Sequence, residues 1–193
     1  MKDLFSRIPR LKGERVTLRE LTLDDADDLR EMTADEEVYR YLPTFLFEKK
    51  YDDAQEVITK LYDECIKDSL ILGVFMEDQF CGLAEIYGYR PSIGKACIGC
   101  RLIKAAWGKG IAAEVLELLL NYLMYETDIE IIAASTMSDN KMSPYPLSKL
   151  GFKRVARGVY KDWGYEHPIK TDIWVCSGIG YRRNNPENPD YVE

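Results

Sequence analysis

One stretch of the sequence, residues 97–124, constrains the fold more than any other. Its first part, Ile98 to Ile103, is short and apolar, which is typical of a buried strand. Its last part repeats apolar residues at helical spacing from Ile111 onward. Gly108 and Gly110 lie between these parts and permit the positive φ angles of a tight turn. The sequence therefore predicts a strand, a glycine turn and a helix in direct succession.

The predicted glycine turn has the physical features of an anion site. The first N–H groups of a helix have no partner inside the helix, and the positive end of the helix dipole lies behind them. Arg101, Lys104 and Lys109 flank the turn, and the first carboxylate that follows is that of Glu114, in a chain of net charge -7. Two interpretations stay open at this point: a site for phosphate or pyrophosphate, and a plain turn.

Length and charge narrow the class of protein. We expect one domain over residues 1–193, with a loose polar tail at about 182–193. The acidic balance disfavours nonspecific binding to nucleic acid or to anionic membranes. No apolar run approaches the ~20 residues that a bilayer span requires. The N-terminus has no apolar signal-peptide core, so we expect a cytoplasmic protein.

The five cysteines are irregularly spaced, as is typical of a reducing compartment. Cys97 and Cys100 form a C-x-x-C pattern, but residues three apart on a strand point to opposite faces. Neither a second such pair nor a histidine cluster completes a zinc site, so we expect no metal. The single histidine, His167, is expected in an exposed loop rather than in a catalytic triad.

The remaining pattern predicts a mixed α+β fold. Helices are expected at about 22–32, 36–42, 52–67, 111–124 and 144–150, and strands at 11–20, 69–76, 80–89, 95–104, 129–137, 153–161 and 171–178. Short connections make the strands between 69 and 104 an antiparallel meander. The strand at 129–137 follows a helix and is apolar on both faces, which indicates a parallel crossover partner.

The turn also fits the dinucleotide fingerprint G-x-G-x-x-G/A, from Gly108 to Ala113. That fingerprint requires an acidic residue about 20 positions later, at the C-terminal end of the next strand. Asp128 and Glu130 have roughly this spacing, but they precede the strand. Because the elements before the turn form a meander and not βαβ units, a dinucleotide-binding protein is the weaker interpretation.

Four sequence motifs occur in order along nearly the whole chain. They are LKGERVTLREL at 11–21 with VYRYL at 38–42, WGKGIA at 107–112, N-x-x-S at 140–143 with KLGF at 149–152, and DIWVC at 172–176. Together they resemble the GNAT superfamily of acyl-CoA-dependent N-acetyltransferases. The similarity is greatest to the branch that includes ribosomal-protein-alanine N-acetyltransferases. Trp107 replaces the usual Gln or Arg of the pyrophosphate loop, and Cys176 departs from the final aromatic.

The resemblance implies the GNAT fold, in which a central, mostly antiparallel twisted sheet has one parallel pair and helices on both faces. It implies that acetyl-CoA is the cosubstrate and that its acetyl group passes to a primary amine by direct attack in a ternary complex. The backbone of Leu102 and Ile103 is expected to bind the pantetheine and the thioester. The pyrophosphate is expected to bind to Trp107, Gly108, Lys109, Gly110, Ile111 and Ala112.

The resemblance also implies catalytic roles for polar side chains. Asn140 is expected to bond the pantetheine arm, and Ser143 to protonate the leaving thiolate; a helix N-cap is the open alternative for Ser143. In this branch a glutamate often precedes Ile-Gly on the strand before the loop, and here that residue is Cys97. Glu85 is the expected replacement base, directly or through water, and an exposed strand carboxylate is its alternative. Tyr145 is a second candidate acid.

In this family the acceptor groove lies between the early helices and the last hairpin. The candidate side chains here are Tyr39, Tyr41, Tyr89, Trp163, Tyr165 and Glu166. Aromatic rings beside a carboxylate suit a cationic amine, such as a protein or peptide N-terminus or a small polyamine-like molecule. Core packing and a homodimer contact remain the alternatives. If no base is present, the chain is instead a regulatory domain that binds acetyl-CoA or CoA without turnover.

Overall fold

The computed structural model describes residues 7–64, 66 and 69–185. Eight strands of this part of the chain form one sheet: β1 Leu11–Lys12, β2 Val16–Arg19, β3 Leu70–Met76, β4 Gln79–Arg90, β5 Lys95–Leu102, β6 Ile131–Met137, β7 Lys153–Lys161 and β8 Ile169–Ser177. The helices are α1 Ala26–Ala34, α2 Glu36–Tyr39, α3 Ala54–Glu64, α4 Ile111–Glu126, α5 Pro144–Lys149 and α6 Gly178–Asn184. Short 3-10 helices cover Leu23–Asp25, Phe47–Lys49, Pro91–Ile93 and Lys104–Ala106.

The sheet has the order β1-β2-β3-β4-β5-β6-β8-β7. Every neighbouring pair is antiparallel except β5 and β6, which α4 connects. A helical crossover returns the chain in the same direction, which is why this one pair is parallel. The predicted mostly antiparallel sheet with one parallel pair is confirmed.

Two hydrophobic cores cover the two faces of the sheet. On one face α4 contributes Val115 and Leu119, which belong to the same core as Ile98 of β5. On the other face α1 and α3 contribute Leu29 and Leu61 to a core that includes Leu83 of β4. Successive strand residues point to opposite faces. Ile98 therefore faces α4, and Cys97, Gly99 and Arg101 face the side of α1 and α3.

Several boundaries differ from the sequence prediction. The strand expected at 11–20 is divided by a tight turn in which Gly13 N donates to Val16 O at 2.8 Å. The 3-10 helix Phe47–Lys49 and the helix α6 were not predicted. Residues 182–184 belong to α6 and are not a loose tail. The side chain of Arg182 holds this helix in place by donating to Glu130 and to the carbonyl of Met124. Residues 186–193 of that predicted tail, and residues 65 and 67 of the helix expected at 52–67, lie outside the described residues.

Within residues 7–64, 66 and 69–185, none of the helices combines the length and the apolarity that crossing a membrane requires.

Candidate active site

A gap opens between β5 and β6 at their carboxyl ends. The two strands pair only from Lys95 with Ile131 to Cys97 with Ala133. Beyond that point β5 remains paired to β4 as far as Leu102, and β6 remains paired to β8 as far as Met137. Each strand thus keeps its outer neighbour while the two separate from each other. The inner edges of both strands carry backbone groups that a ligand can bind.

The hydrogen-bond pattern shows which backbone groups of β5 point into the gap. Ile103 N donates to Cys81 O at 2.9 Å, next to the pair formed by Gly82 and Leu102. Such a bond flanks a non-hydrogen-bonded pair, so the N–H of Leu102 points away from β4 and into the gap. Since the direction alternates along a strand, Cys100 presents its N–H there as well. The N–H of Leu102 is therefore unpaired toward β4 and faces the gap, whereas the N–H of Ile103 is bonded to Cys81 O.

The glycine turn follows β5 directly. Gly108 and Gly110 have φ angles of 71° and 79°, and Gly110 is the N-cap of α4. Ala113 N and Glu114 N donate to Gly110 O, whereas the described hydrogen bonds include none donated by the backbone N–H groups from Gly108 to Ala112. A Cβ atom on Gly108 would have no neighbour within 4 Å. The turn therefore presents a row of free donors to open space, as an anion site requires.

Trp107 lies between the turn and the gap. Its indole Nε1 donates to Leu102 O at 2.7 Å, so the ring lies beside the inner edge of β5, with 46% of the residue exposed. The backbone carbonyl of Leu102 faces the gap and accepts this bond, whereas the N–H of Leu102 remains free. The replacement of the usual Gln or Arg by Trp therefore keeps a side-chain donor at this position.

The predicted basic island is smaller than the sequence indicated. Arg101 is 5% exposed and is bonded to carboxylates on the other face of the sheet. Lys104 pairs with Glu37 at 2.9 Å and with Asp35 at 3.6 Å. Of the three predicted cations, Lys109 alone is without an ion pair among the described residues.

Arg15, which sequence reasoning missed, brings a second cation to the turn. Its Nη1 donates to Lys109 O at 2.9 Å, and its Nε pairs with Glu114 Oε2 at 2.9 Å. Glu114 Oε1 also accepts from the backbone N–H of Arg15 at 2.7 Å. The β1–β2 turn is thus bound to the first turn of α4. A surface groove of about 580 Å³ lies beside this contact and is lined by Arg15, Gly110, Glu114 and Lys149, among others.

Asn140 and Ser143 lie together just after β6. Asn140 Nδ2 donates to Ser143 Oγ at 2.8 Å, and Asn140 Oδ1 accepts from the backbone N–H groups of Met142 and Ser143. Ser143 is the N-cap of α5, but its side chain makes no capping bond. The hydroxyl of Ser143 is therefore oriented by Asn140. Tyr145 is 76% exposed, so it extends away from the protein surface.

The side chain of Glu85, on β4, lies on the face of the sheet opposite to α4 and next to β5. It stands opposite Gly99 in the register of β4 and β5, and its carboxylate accepts from Arg101 Nη1 at 3.2 Å. Arg101 Nη2 in turn donates to Glu48 Oε2 at 2.8 Å. Burial raises the pKa of Glu85, although Arg101 opposes this increase. Glu85 is thus a part-buried carboxylate and not a freely exposed one.

Cys97 cannot take the role of the glutamate that it replaces. It faces the same side as Glu85, opposite Tyr87. Burial raises the pKa of the Cys97 thiol, so this group stays protonated at neutral pH and is a poor proton acceptor. The cysteines of the described residues are all free, and those residues contain no cluster of three or more His, Cys, Asp or Glu side chains arranged for a metal ion.

The predicted acceptor residues do not form a single cluster. The hydroxyl of Tyr39 donates to Glu48 Oε1 at 3.2 Å, on the Glu85 side of the sheet. Tyr41 lines a pocket of about 380 Å³ at the end of β6. Trp163 is buried, and its carbonyl accepts from Thr44, while Tyr165 donates to the carbonyl of Leu42, so that both fix the last hairpin onto the segment after α2.

Two other candidates lie away from this group. Tyr89 packs against the core on the α4 face, apart from Tyr39. Glu166 is exposed in the loop between β7 and β8.

Glu48 was not singled out in the sequence because nothing in its segment marks a site. The sequence does, however, mark its partner Arg101 as unusual. Arg101 is the single charge in the apolar run Ile98 to Ile103, and a charged residue in a buried strand requires an opposite charge. The sequence does not say which of the 33 carboxylates supplies it.

Comparison with known proteins identifies the family of the chain. Residues 15–153 match the family model described as the acetyltransferase (GNAT) domain. The chain is 29% identical over 169 residues to the uncharacterized N-acetyltransferase p20 of Bacillus licheniformis, covering 86% of this chain and 94% of that protein. A GNAT-family acetyltransferase structure from Bacillus anthracis superposes with a TM-score of 0.76 at 20% identity, covering 88% of this chain and 99% of the other.

A second similar structure was solved with CoA. The ribosomal L7/L12 alpha-N-protein acetyltransferase RimL in complex with coenzyme A has a TM-score of 0.75 at 13% identity, covering 87% of this chain and 97% of RimL. This similarity supports the fold. With the family match over more than half of the sequence, it leads to one conclusion: the chain belongs to the GNAT family and is an acetyltransferase.

Proposed function

We propose that this enzyme transfers the acetyl group of acetyl-CoA to a primary amine, which attacks directly while both substrates are bound. The observation that carries the proposal is the gap between β5 and β6, which opens beside a turn of free backbone donors. A pantetheine chain is long, thin and rich in amide groups. The inner edge of β5 offers it unpaired N–H groups at Leu102 and Cys100.

The turn at Gly108 to Ala112 fits the pyrophosphate. The backbone N–H groups from Gly108 to Ala112 donate none of the described hydrogen bonds, the space at Gly108 is open, and the dipole of α4 adds positive potential. Lys109 supplies side-chain charge at the same end of the helix, and Arg15 adds a charge that its ion pair with Glu114 partly offsets. The groove beside Gly110 and Lys149 has room for the nucleotide portion of CoA.

Two side chains at the end of β6 suit the departure of the thiol. Asn140 orients the hydroxyl of Ser143 by donating to it, which leaves the hydroxyl proton free for another acceptor. We assign that proton to the thiolate of CoA. Ser143 recovers a proton from solvent, so the role is that of a general acid. Tyr145 is too exposed to compete for it.

The acceptor amine approaches from the Glu85 side. An α-amine has a pKa near 8 and a lysine amine near 10, so most of the acceptor is protonated at neutral pH. The carboxylate of Glu85 takes one proton from the ammonium, and the nitrogen lone pair then forms the bond to the thioester carbon. As the carbon–sulfur bond breaks, the nitrogen loses a second proton to solvent, and the departing thiolate takes its proton from Ser143. Backbone N–H groups of β5 stabilise the negative charge that develops on the oxygen of the thioester carbonyl. Protein or peptide N-termini and small amines both fit this scheme, because it requires only a primary amine beside Glu85. Tyr39 lies on the same side of the sheet as Glu85.

Two measurements test the proposal. Calorimetry should show that CoA and acetyl-CoA bind, and a free-thiol assay should show CoA release that depends on an added amine. A panel of peptides with free N-termini, lysine and short polyamines should contain at least one active acceptor. If CoA does not bind, the proposal is wrong.

One structural feature favours a second candidate function. The position of the usual glutamate carries a thiol that stays protonated. A regulatory domain that binds acetyl-CoA without turnover would show calorimetric binding, yet no amine of the panel would release thiol above the rate of hydrolysis. Proximity in a ternary complex can itself support aminolysis, so the loss of one carboxylate does not require this outcome.

A further inference from the structure

Three buried charges form a connected group on the acceptor side of β5. Arg101 bonds Glu85 through Nη1 at 3.2 Å and Glu48 through Nη2 at 2.8 Å. Its Nε also forms an ion pair with Glu48. The side chains of Arg101 and Glu48 are 3% and 1% exposed, so this guanidinium is shared between two carboxylates away from water.

The group carries a net negative charge whenever Glu85 is ionised. Two carboxylates and one guanidinium sum to -1 when all three are ionised. Tyr39 donates a neutral hydrogen bond to Glu48, and no second cation forms an ion pair with Glu48 or Glu85 among the described residues. A buried excess charge is costly unless an opposite charge joins it. In its ionised form the group therefore lacks one positive charge, which either a proton on Glu85 or an ammonium ion beside it supplies.

Glu85 is the member of the group that a ligand can reach. Its side chain is 18% exposed, and it stands opposite Gly99, which has no side chain to cover it. A Cβ atom on Gly99 would have Tyr87 Cε1 as its nearest neighbour, at 3.8 Å. Since the fold has room for a larger residue there, the space beside Glu85 is left open. Gly99 is also the second residue of β5 beyond the last pair with β6.

We propose that Glu48, Arg101 and Glu85 form an ammonium-binding subsite, in which Glu85 receives the positively charged acceptor amine while Arg101 and Glu48 hold its carboxylate in position. This inference rests on the proposed function and specifies its acceptor as a cationic amine. Glu48 and Arg101 are positioning residues, because neither is exposed to a ligand. Binding of the ammonium brings the charge of the group to zero.

Among the described residues, the titratable groups around Glu85 come from two strands and two short helices. They are Arg101 and Cys97 of β5, Tyr87 of β4, Glu48 of the 3-10 helix Phe47–Lys49 and, through Glu48, Tyr39 of α2. Burial raises the pKa of Glu85, Arg101 lowers it and Glu48 raises it. A cation beside Glu85 must therefore lower this pKa, and removal of the Glu48 charge must lower it too.

Carboxyl ¹³C NMR of glutamate-labelled protein tests the subsite, with the signal of Glu85 identified by its loss in Glu85→Gln. In the wild type, saturating n-propylammonium should move the titration midpoint of Glu85 to lower pH by about 1 pH unit, relative to KCl at the same ionic strength. Glu48→Gln should move it in the same direction without added amine. Glu64→Gln, an exposed carboxylate on α3 that pairs with Lys50, should leave it unchanged.

The subsite is refuted if the midpoint is the same in n-propylammonium and in KCl, or if Glu48→Gln raises it. The amine titration uses the wild-type protein, so the test stands even if Glu48→Gln does not fold. Calorimetry with CoA on the same samples separates the two claims. Retained CoA binding without an amine effect overturns the subsite alone, whereas absent CoA binding in the wild type overturns the proposed function.

Discussion

The glycine turn, Gly108 to Ala112, and the proposed acceptor side, formed by Glu85, Arg101 and Glu48, adjoin the same strand, β5, but they are built in different ways. The glycine turn takes its donors from consecutive backbone groups. The acceptor side takes side chains from three distant segments, because Arg101 is 16 positions from Glu85 and 53 positions from Glu48. Backbone donors carry no charge that can titrate, whereas the acceptor side depends on the protonation of one carboxylate. The two regions should therefore respond to different mutations and to different conditions.

Glu85→Gln should produce the largest effect on turnover. Removal of a general base typically costs about 10²- to 10⁴-fold in rate. The Glu48–Arg101 ion pair remains in this variant, so the fold and the affinity for CoA should be unchanged. Amine-dependent thiol release measures the rate, and calorimetry measures the affinity. A variant that loses CoA affinity together with turnover would contradict the separation of the two regions.

The pH dependence of kcat/KM should also reflect the role of Glu85 as a base. Burial raises the pKa of Glu85, so its carboxylate is protonated as pH falls through a value above that of an ordinary glutamate. Wild-type kcat/KM should therefore decrease on the acid side at a pH above about 4.3. The affinity for CoA should not decrease in that interval. A profile of the residual Glu85→Gln activity that keeps the same acid limb would show that another group titrates.

The sequence predicts the glycine turn better than the acceptor side for a physical reason. A strand, two glycines and an amphipathic helix lie next to each other in the sequence, so local pattern is enough to predict their geometry. Arg101 and Lys104 also lie nearby, and yet their predicted role at the turn was wrong. The alternation of strand side chains places Arg101 on the other face, and Asp35 and Glu37 pair with Lys104. Long-range packing of this kind has no local signal.

The same reason explains the other differences in the fold. The mostly antiparallel sheet with one parallel pair, and the helices on both of its faces, agree with the fold that the resemblance implied. The contact of Arg15 with Glu114 joins residues 99 positions apart, and the N-terminal strand is divided by a turn that local alternation did not indicate. The orientation of Ser143 by Asn140, by contrast, is local and agrees with the N-x-x-S motif.

Gly108→Ala should weaken CoA binding, and it should lower the free energy of unfolding no more than Gly158→Ala does. Both Gly108 and Gly158 have positive φ, at 71° and 67°, and a Cβ atom on either would have no neighbour within 4 Å. Alanine at either position should therefore cost a similar ~1–2 kcal/mol of folding free energy. Gly108→Ala alone should lower CoA affinity, by about tenfold, because its methyl group enters the space in front of the free donors.

Gly158→Ala, on the sheet-edge strand β7, is the matched control for this loss. Thermal unfolding and calorimetry on both variants check the prediction. Equal CoA affinities in the two variants would mean that the space at Gly108 does not hold the phosphates.

Arg15→Met should have a smaller effect on the same region. It removes the bonds to Lys109 O and Glu114 while it keeps an apolar side chain of similar length. We expect CoA affinity to fall about threefold to tenfold at low salt, with a smaller difference at high salt because screening weakens exposed charges.

The control for Arg15→Met is Arg30→Met, which breaks an exposed ion pair with Asp27 on α1. Its CoA affinity should equal that of the wild type at every salt concentration. An Arg15→Met protein that binds CoA as tightly as this control would reduce the role of Arg15 to anchoring the β1–β2 turn.

Gly99→Ala should have the smallest effect, and it should act on the acceptor side alone. The added methyl meets only Tyr87, at 3.8 Å, so the fold should tolerate it. It occupies space beside Glu85, and we expect KM for the amine to rise about threefold, equivalent to roughly 0.6 kcal/mol. Gly73→Ala on β3, whose Cβ would lie 2.5 Å from the ring of Phe75, should instead lower the melting temperature. An unchanged KM in Gly99→Ala would place the amine elsewhere.

The central claim is that backbone donors at the β5–β6 gap and at the glycine turn bind CoA. Titration of ¹⁵N-labelled protein with CoA tests it directly, because an amide proton resonance moves when that N–H gains an acceptor. The amides from Gly108 to Ala112 and those of Leu102 and Cys100 should move, whereas the amide of Ile103, already bonded to Cys81, should move least. If CoA leaves these seven amides unchanged, or if the Ile103 amide moves more than they do, the account is contradicted.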